Sequence, residues 1–148
     1  MKIIVDSNIV YSGILNTQSA IGDILLNTGD LIEFYTCEYL RAEIDNHQNE
    51  ILKATGYDGT ELHEVQFKIY SKLTFFTEAL LPFECWQEAA NFVRDVDIDD
   101  IAFVALSLFL DAKLWTGDKK LREGLLKKGF QNLISASEII SLLREHNP

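Results

Sequence analysis

The sequence predicts an α/β domain with a mainly parallel central sheet flanked by helices. Three observations predict it. Short β-branched or aromatic runs alternate with longer segments of helical periodicity, which calls for crossover connections between parallel strands. The runs are bounded by turn signals such as Thr28-Gly29-Asp30. One helical segment, "IAFVALSLFL", is apolar nearly all round, as a helix buried in a layered core should be.

The elements follow in order. "KIIV" at residues 2–5 is a first strand ending at Asp6, and a helical pattern covers residues 19–27. "LIEFYT", 31–36, is a second strand. Residues 38–54 form an amphipathic helix with the stripe Leu40, Ile44, His47 and Ile51, and residues 60–72 form another. Residues 73–76 read as a short strand, followed by a helix over 84–93 and the buried helix over 100–111. "AKLWT", 112–116, is a strand, then a helix over 119–128, a strand over 131–135 and a helix over 137–145. No repeat or Pro/Ser-rich linker interrupts this order, so residues 1–148 read as a single domain.

Bulk properties narrow the function. The 148 residues are 47% hydrophobic, with no run long enough for a secretory leader or a bilayer span, so a soluble cytosolic protein is expected. Cys37 and Cys85 lie outside any metal-ligand spacing and read as small buried hydrophobes. A net charge of −10 argues against passive binding to a polyanion. The charge is uneven, however: Lys119, Lys120, Arg122, Lys127 and Lys128 cluster behind one acid, as a solvated helix face or a phosphate-attracting patch.

In parallel sheets, functional groups gather at the carboxyl ends of the strands. Asp6 directly follows the first strand, and Asp118 follows "AKLWT" by one glycine. Each alone is explained by turn and cap chemistry. "DVDIDD", residues 95–100, is not, because one capping Asp does not account for four acids in six positions. Asp97 and Asp100 could face one point at the helix start, and Asp97, Asp99 and Asp100 all remain candidates for a third acid. On the 38–54 helix, Glu43 borders the apolar stripe, with Glu50 as its rival. Carboxylates converging without His or Cys partners suit Mg²⁺ or Mn²⁺ and not Zn²⁺. Such a cation would act on a phosphodiester.

"IIVDSNIVYSGIL", the Glu in "LRAEI" and above all "DVDIDDIAFVALSLFLDAKLWTGDKKL" resemble a PIN-domain nuclease of the kind found as toxins in VapBC-type toxin–antitoxin pairs. The resemblance covers essentially the whole chain. It implies a three-layer Rossmann-like domain, dependence on Mg²⁺ or Mn²⁺, cleavage of RNA, frequent homodimers, and a cognate antitoxin whose tail covers the site. It places the acidic quartet on Asp6, Glu43, Asp100 and Asp118; the acid run itself adds Asp97 as a further candidate metal ligand. Asn8 and Thr116 match polar positions that help hold the site, and Lys119, Lys120 and Arg122 are candidates for attracting the RNA backbone.

Two other readings stand beside it: a PIN-like domain that binds or scaffolds without cleaving, and a phospho-accepting receiver. The second lacks an Asp on "LIEFYTCEYL" where a receiver needs one. His47 falls on the apolar stripe and is expected in the core, Ser7 and Ser12 lack a pattern for nucleophilic catalysis, and Trp115 is expected to pack. The long 38–72 helix pair is a candidate clip for an antitoxin or second subunit.

Overall fold

The computed structural model describes residues 1–95 and 100–146. Five strands form one parallel sheet: β1 (Lys2–Val5), β2 (Glu33–Cys37), β3 (Leu73–Phe76), β4 (Lys113–Trp115) and β5 (Leu133–Ile134). Their spatial order is β3-β2-β1-β4-β5. The chain therefore steps outward on one side of β1, then crosses back to build the other side. β1 is the point where strand order reverses, and the crevice beyond its carboxyl end is where such sheets place ligands. Pairing of Val5 with Trp115 and of Ile4 with Tyr35 puts the ends of β1, β2 and β4 side by side.

The helices among the described residues are α1 (Ser7–Leu15), α2 (Ala20–Asn27), α3 (Tyr39–Asn46), α4 (Gln48–Thr55), α5 (Gly59–Tyr70), α6 (Phe83–Val93), α7 (Ile101–Leu110), α8 (Lys119–Lys127) and α9 (Ala136–His146). α7 packs on β1, β2 and β4 and against α6, which also meets α8, while α1 packs against α2, α3, α4 and α5. The apolar composition of α7 is explained by this position, with residues 102–107 all buried. The predicted parallel sheet and flanking helices are thus present.

Alternation alone does not predict α1. Its signals are local: Asp6 accepts a hydrogen bond from the Ile9 N–H at 3.1 Å as an N-cap, and Ile9, Val10, Gly13 and Ile14 bury one helical face. Gly13 lets this face sit close, since a Cβ there would lie 2.9 Å from Leu25 Cδ1.

The expected single helix over 38–54 is divided in two at His47. There the backbone (φ −102°, ψ 11°) leaves helical geometry, and the His47 N–H bonds back to Ile44 O at 3.0 Å. No Gly or Pro marks this joint. It turns His47 out of the apolar stripe, so that the residue expected in the core is exposed. Leu40, Ile44 and Ile51 keep the core side.

Candidate functional site

Two turns and one helix meet at the carboxyl edge of the sheet. The first turn joins β1 to α1 and carries Asp6. Its N–H donates to Trp115 O at 3.3 Å and its Oδ1 caps α1, which fixes the side chain within the fold. Only 1% of Asp6 is exposed, and Oδ2 is buried with no hydrogen-bond partner among the described residues. Burial pushes its carboxyl up to about 7; Thr116 and the Ile9 N–H pull against that shift, and the charges of Asp118 and Glu43 add to it. Thr116 lies close enough to favour the ionised form without making a well-formed bond to Oδ2.

The second turn joins β4 to α8. Asp118 Oδ1 caps α8 by accepting from the N–H groups of Lys120 and Leu121 at 3.0 and 3.1 Å. Its own N–H donates to Thr116 Oγ1 at 3.0 Å, and the Gly117 N–H donates to Asn8 Oδ1 at 3.1 Å. One hydrogen bond thus ties the two acid-bearing turns together. Glu43 arrives on α3, half-buried, and accepts a 2.5 Å hydrogen bond from Ser7 Oγ. Thr36 at the end of β2 donates to Val5 O at 2.9 Å, locking β2 to β1 beneath the site.

Glu43, Asp118 and Asp100, which precedes α7, line one cleft of about 320 Å³ together with Ser7 and Asn8. Tyr11, His47 and Glu50 line it as well. Asp97 and Asp99 lie outside the described residues. The donors are oxygens throughout the acidic end, which suits a hard divalent cation, and the unpartnered Asp6 Oδ2 is the kind of buried atom that needs one. Among the described residues no three carboxylate, imidazole or thiol groups are gathered tightly enough to form a ready-made ion site.

Residues 4–137 match the family model of the PIN domain. The chain belongs to the PIN-domain family. Its fold is similar to the crystal structure of VapBC2 from Rickettsia felis bound to a DNA fragment from its promoter, with a TM-score of 0.65 and 14% identity over 91% of this chain and 97% of that one. No curated protein matches the sequence. PIN domains are nucleases as a family and generally use divalent metals.

Within this PIN domain, Asp6, Asn8, Glu43, Asp100, Thr116 and Asp118 occupy the same edge of the sheet. The cationic residues divide. Lys119 and Lys120 are exposed at the start of α8, beside Asp118. Arg122 faces Glu138 on α9 at 3.7 Å, and Lys128 is held by Asp95 at 2.9 Å and Asn91 O at 3.1 Å. Glu50, Glu43's rival, stands in the same cleft but is engaged by His47 Nδ1 at 3.1 Å. The sequence offers Ser7 no nucleophile pattern and does not single out Tyr11 at all. Their signal was spacing: four residues apart on α1, they share one helical face. Both cysteines are free, and burial pushes the Cys37 thiol above its usual range, with the charges of Glu78 and Glu43 adding to the shift.

Proposed function

We propose that this chain is a metal-dependent endoribonuclease that hydrolyses RNA phosphodiester bonds in the cytosol, as the toxin of a toxin–antitoxin pair. The observation that carries this reading is the gathering of Glu43, Asp100 and Asp118, from three separate stretches of sequence, in one cleft beyond the strand-order reversal, with the buried Asp6 carboxyl within electrostatic reach of Glu43 and Asp118. Asp6, Asp100 and Asp118 would hold Mg²⁺ or Mn²⁺, with Asp97 a further candidate. When bound, the ion supplies Lewis acidity toward the phosphate and lowers the pKa of a water.

The chain's own groups do the rest. Glu43, held by Ser7, would orient or deprotonate an attacking water from the α3 side of the cleft. Asn8 and Thr116 keep the Asp6 and Asp118 turns in register. Lys119 and Lys120 are the local positive charge that draws an RNA backbone toward an otherwise acidic molecule. Family membership supports the nuclease chemistry, and the likeness to the VapBC2 structure supports an antitoxin partner. A homodimer is part of the same proposal.

The net charge of −10 and the spread of the acids favour a second reading, a PIN domain that binds without cutting. One experiment separates them. Purified protein is incubated with single-stranded RNA in Mg²⁺ or Mn²⁺, with EDTA as control, alongside Asp6→Asn and Asp118→Asn. Cleavage is expected only from the native chain with metal. Equal cleavage by both variants sinks the proposal, and silence from the native chain in every metal favours the non-cleaving reading.

A further inference from the structure

The acidic half of the cleft accounts for phosphate chemistry, but its other half is built differently. Two helix contacts run in step there. Ser7 meets Glu43 through a hydrogen bond, and one turn further along α1 Tyr11 meets His47 at the α3–α4 joint, ring centroids 5.8 Å apart and planes at 71°. Four helical residues rise about 6 Å, so on α1 Tyr11 stands one turn beyond the Ser7 that holds Glu43, and all four residues line the same cleft.

The His47 ring is fixed from three directions. The α3–α4 joint sets its backbone, Tyr11 packs edge to face against it, and Glu50 Oε2 holds Nδ1 at 3.1 Å. The side chain nevertheless remains 52% exposed and lines the cleft, which leaves ring surface available to a ligand there. An exposed i,i+3 His–Glu pair contributes little to stability by itself. A ring held by two neighbours beside the acidic end of the cleft is, on the other hand, partly pre-organised for stacking, which lowers the ordering cost.

We infer that His47, backed by Tyr11 and held by Glu50, is a stacking platform for a nucleobase next to the phosphate at the acidic end. This deepens the nuclease reading and rests on its placement of the phosphate. Stacking is tolerant of base identity and adds affinity without positive charge. That is the kind of contact a strongly acidic protein needs to hold a polyanion.

The test compares AMP with ribose 5-phosphate, two ligands that share a phosphate and differ in the base. Dissociation constants are measured by titration in Ca²⁺ for the native protein, His47→Ala and His47→Phe. AMP is expected to bind the native protein roughly tenfold tighter than ribose 5-phosphate, given what base–aromatic stacking contributes. The ratio should persist in His47→Phe, which keeps a ring, and fall close to one in His47→Ala. A ratio near one in the native protein, or an undiminished ratio in His47→Ala, overturns the platform. RNA cleavage, assayed separately, decides the nuclease reading: a platform that behaves as expected on a protein that cuts no RNA would refute that reading alone.

Discussion

Asn8 and Gly117 stand 109 positions apart in sequence and one 3.1 Å hydrogen bond apart in space. The bond links the turn that carries Asp6 to the turn that carries Asp118, and these acids bear charges that raise each other's cost. A carboxamide suits this role because it accepts from the backbone without adding a further negative charge.

Asn8→Ala removes that tie while leaving both acids in place. Because Asn8 is exposed, the stability loss should be about 1 kcal/mol. The effect on Mn²⁺ affinity should be larger, roughly tenfold or more, since removal of groups that orient ligands costs about that much. Calorimetric titration alongside thermal unfolding checks both. Unchanged Mn²⁺ affinity would show that the tie does not govern the acids.

Asp118 has two jobs that substitution can separate. It caps α8 through two backbone N–H bonds and presents its carboxylate to the cleft. Asn caps a helix about as well as Asp, whereas Ala loses about 1 kcal/mol. Asp118→Asn should therefore unfold close to the native temperature and Asp118→Ala several degrees lower, with RNA cleavage and Mn²⁺ binding abolished in both. Equal stability of the two variants would remove the capping role, and cleavage by Asp118→Asn would remove the chemical one.

Gly22 tests the support behind α1. A Cβ there would lie 2.5 Å from the Thr17 carbonyl oxygen and 2.7 to 2.8 Å from its backbone carbons, none of which can swing aside. Gly22→Ala should destabilise by about 1–3 kcal/mol, as overpacking does, because α2 packs against α1, the helix that Asp6 caps. Urea unfolding measures this, and a neutral result would mean that the 17–20 turn adapts freely.

Much of this architecture was legible because it rests on period and turn chemistry. The strand ending at Asp6 and the "TGD" turn after β4 announce their positions in a few residues, and the all-apolar α7 announces its burial. What escaped depends on contacts between distant segments. α1 was hidden because Ile9 and Val10 suit a strand as readily as a helix, and the cap that decides the matter is the same carboxylate that reads as a ligand. His47 was misplaced because the helix breaks there with no Gly or Pro to announce it, which shifts the phase of the stripe beyond Ile44. The Ser7–Glu43 and Tyr11–His47 pairs need the packing of α1 on α3, which no local pattern encodes.

The buried carboxyl of Asp6 gives the metal-free protein a pH signature. Its pKa is about 7 when folded, against 3.8 as the ordinary value, so between these limits the folded chain holds a proton that the unfolded chain has released. Stability must then fall as pH rises through that window, by up to a few kcal/mol from this group, and level off above it. Asp6→Asn, which cannot ionise, lacks this contribution. In EDTA the variant should match or trail the native chain near pH 5 and exceed it near pH 8. Asp95, whose carboxyl Lys128 pulls down, contributes equally to both proteins and cancels in the difference. Adding Mg²⁺ or Mn²⁺ at pH 8 should reverse the order, since only the native carboxylate can gain from the ion. Chemical unfolding at the two pH values, with and without metal, measures all four states. If Asp6→Asn is the less stable protein at pH 8 in EDTA, the Asp6 carboxylate already has a compensating partner in the folded chain, and the physical ground for placing a cation beside it is lost.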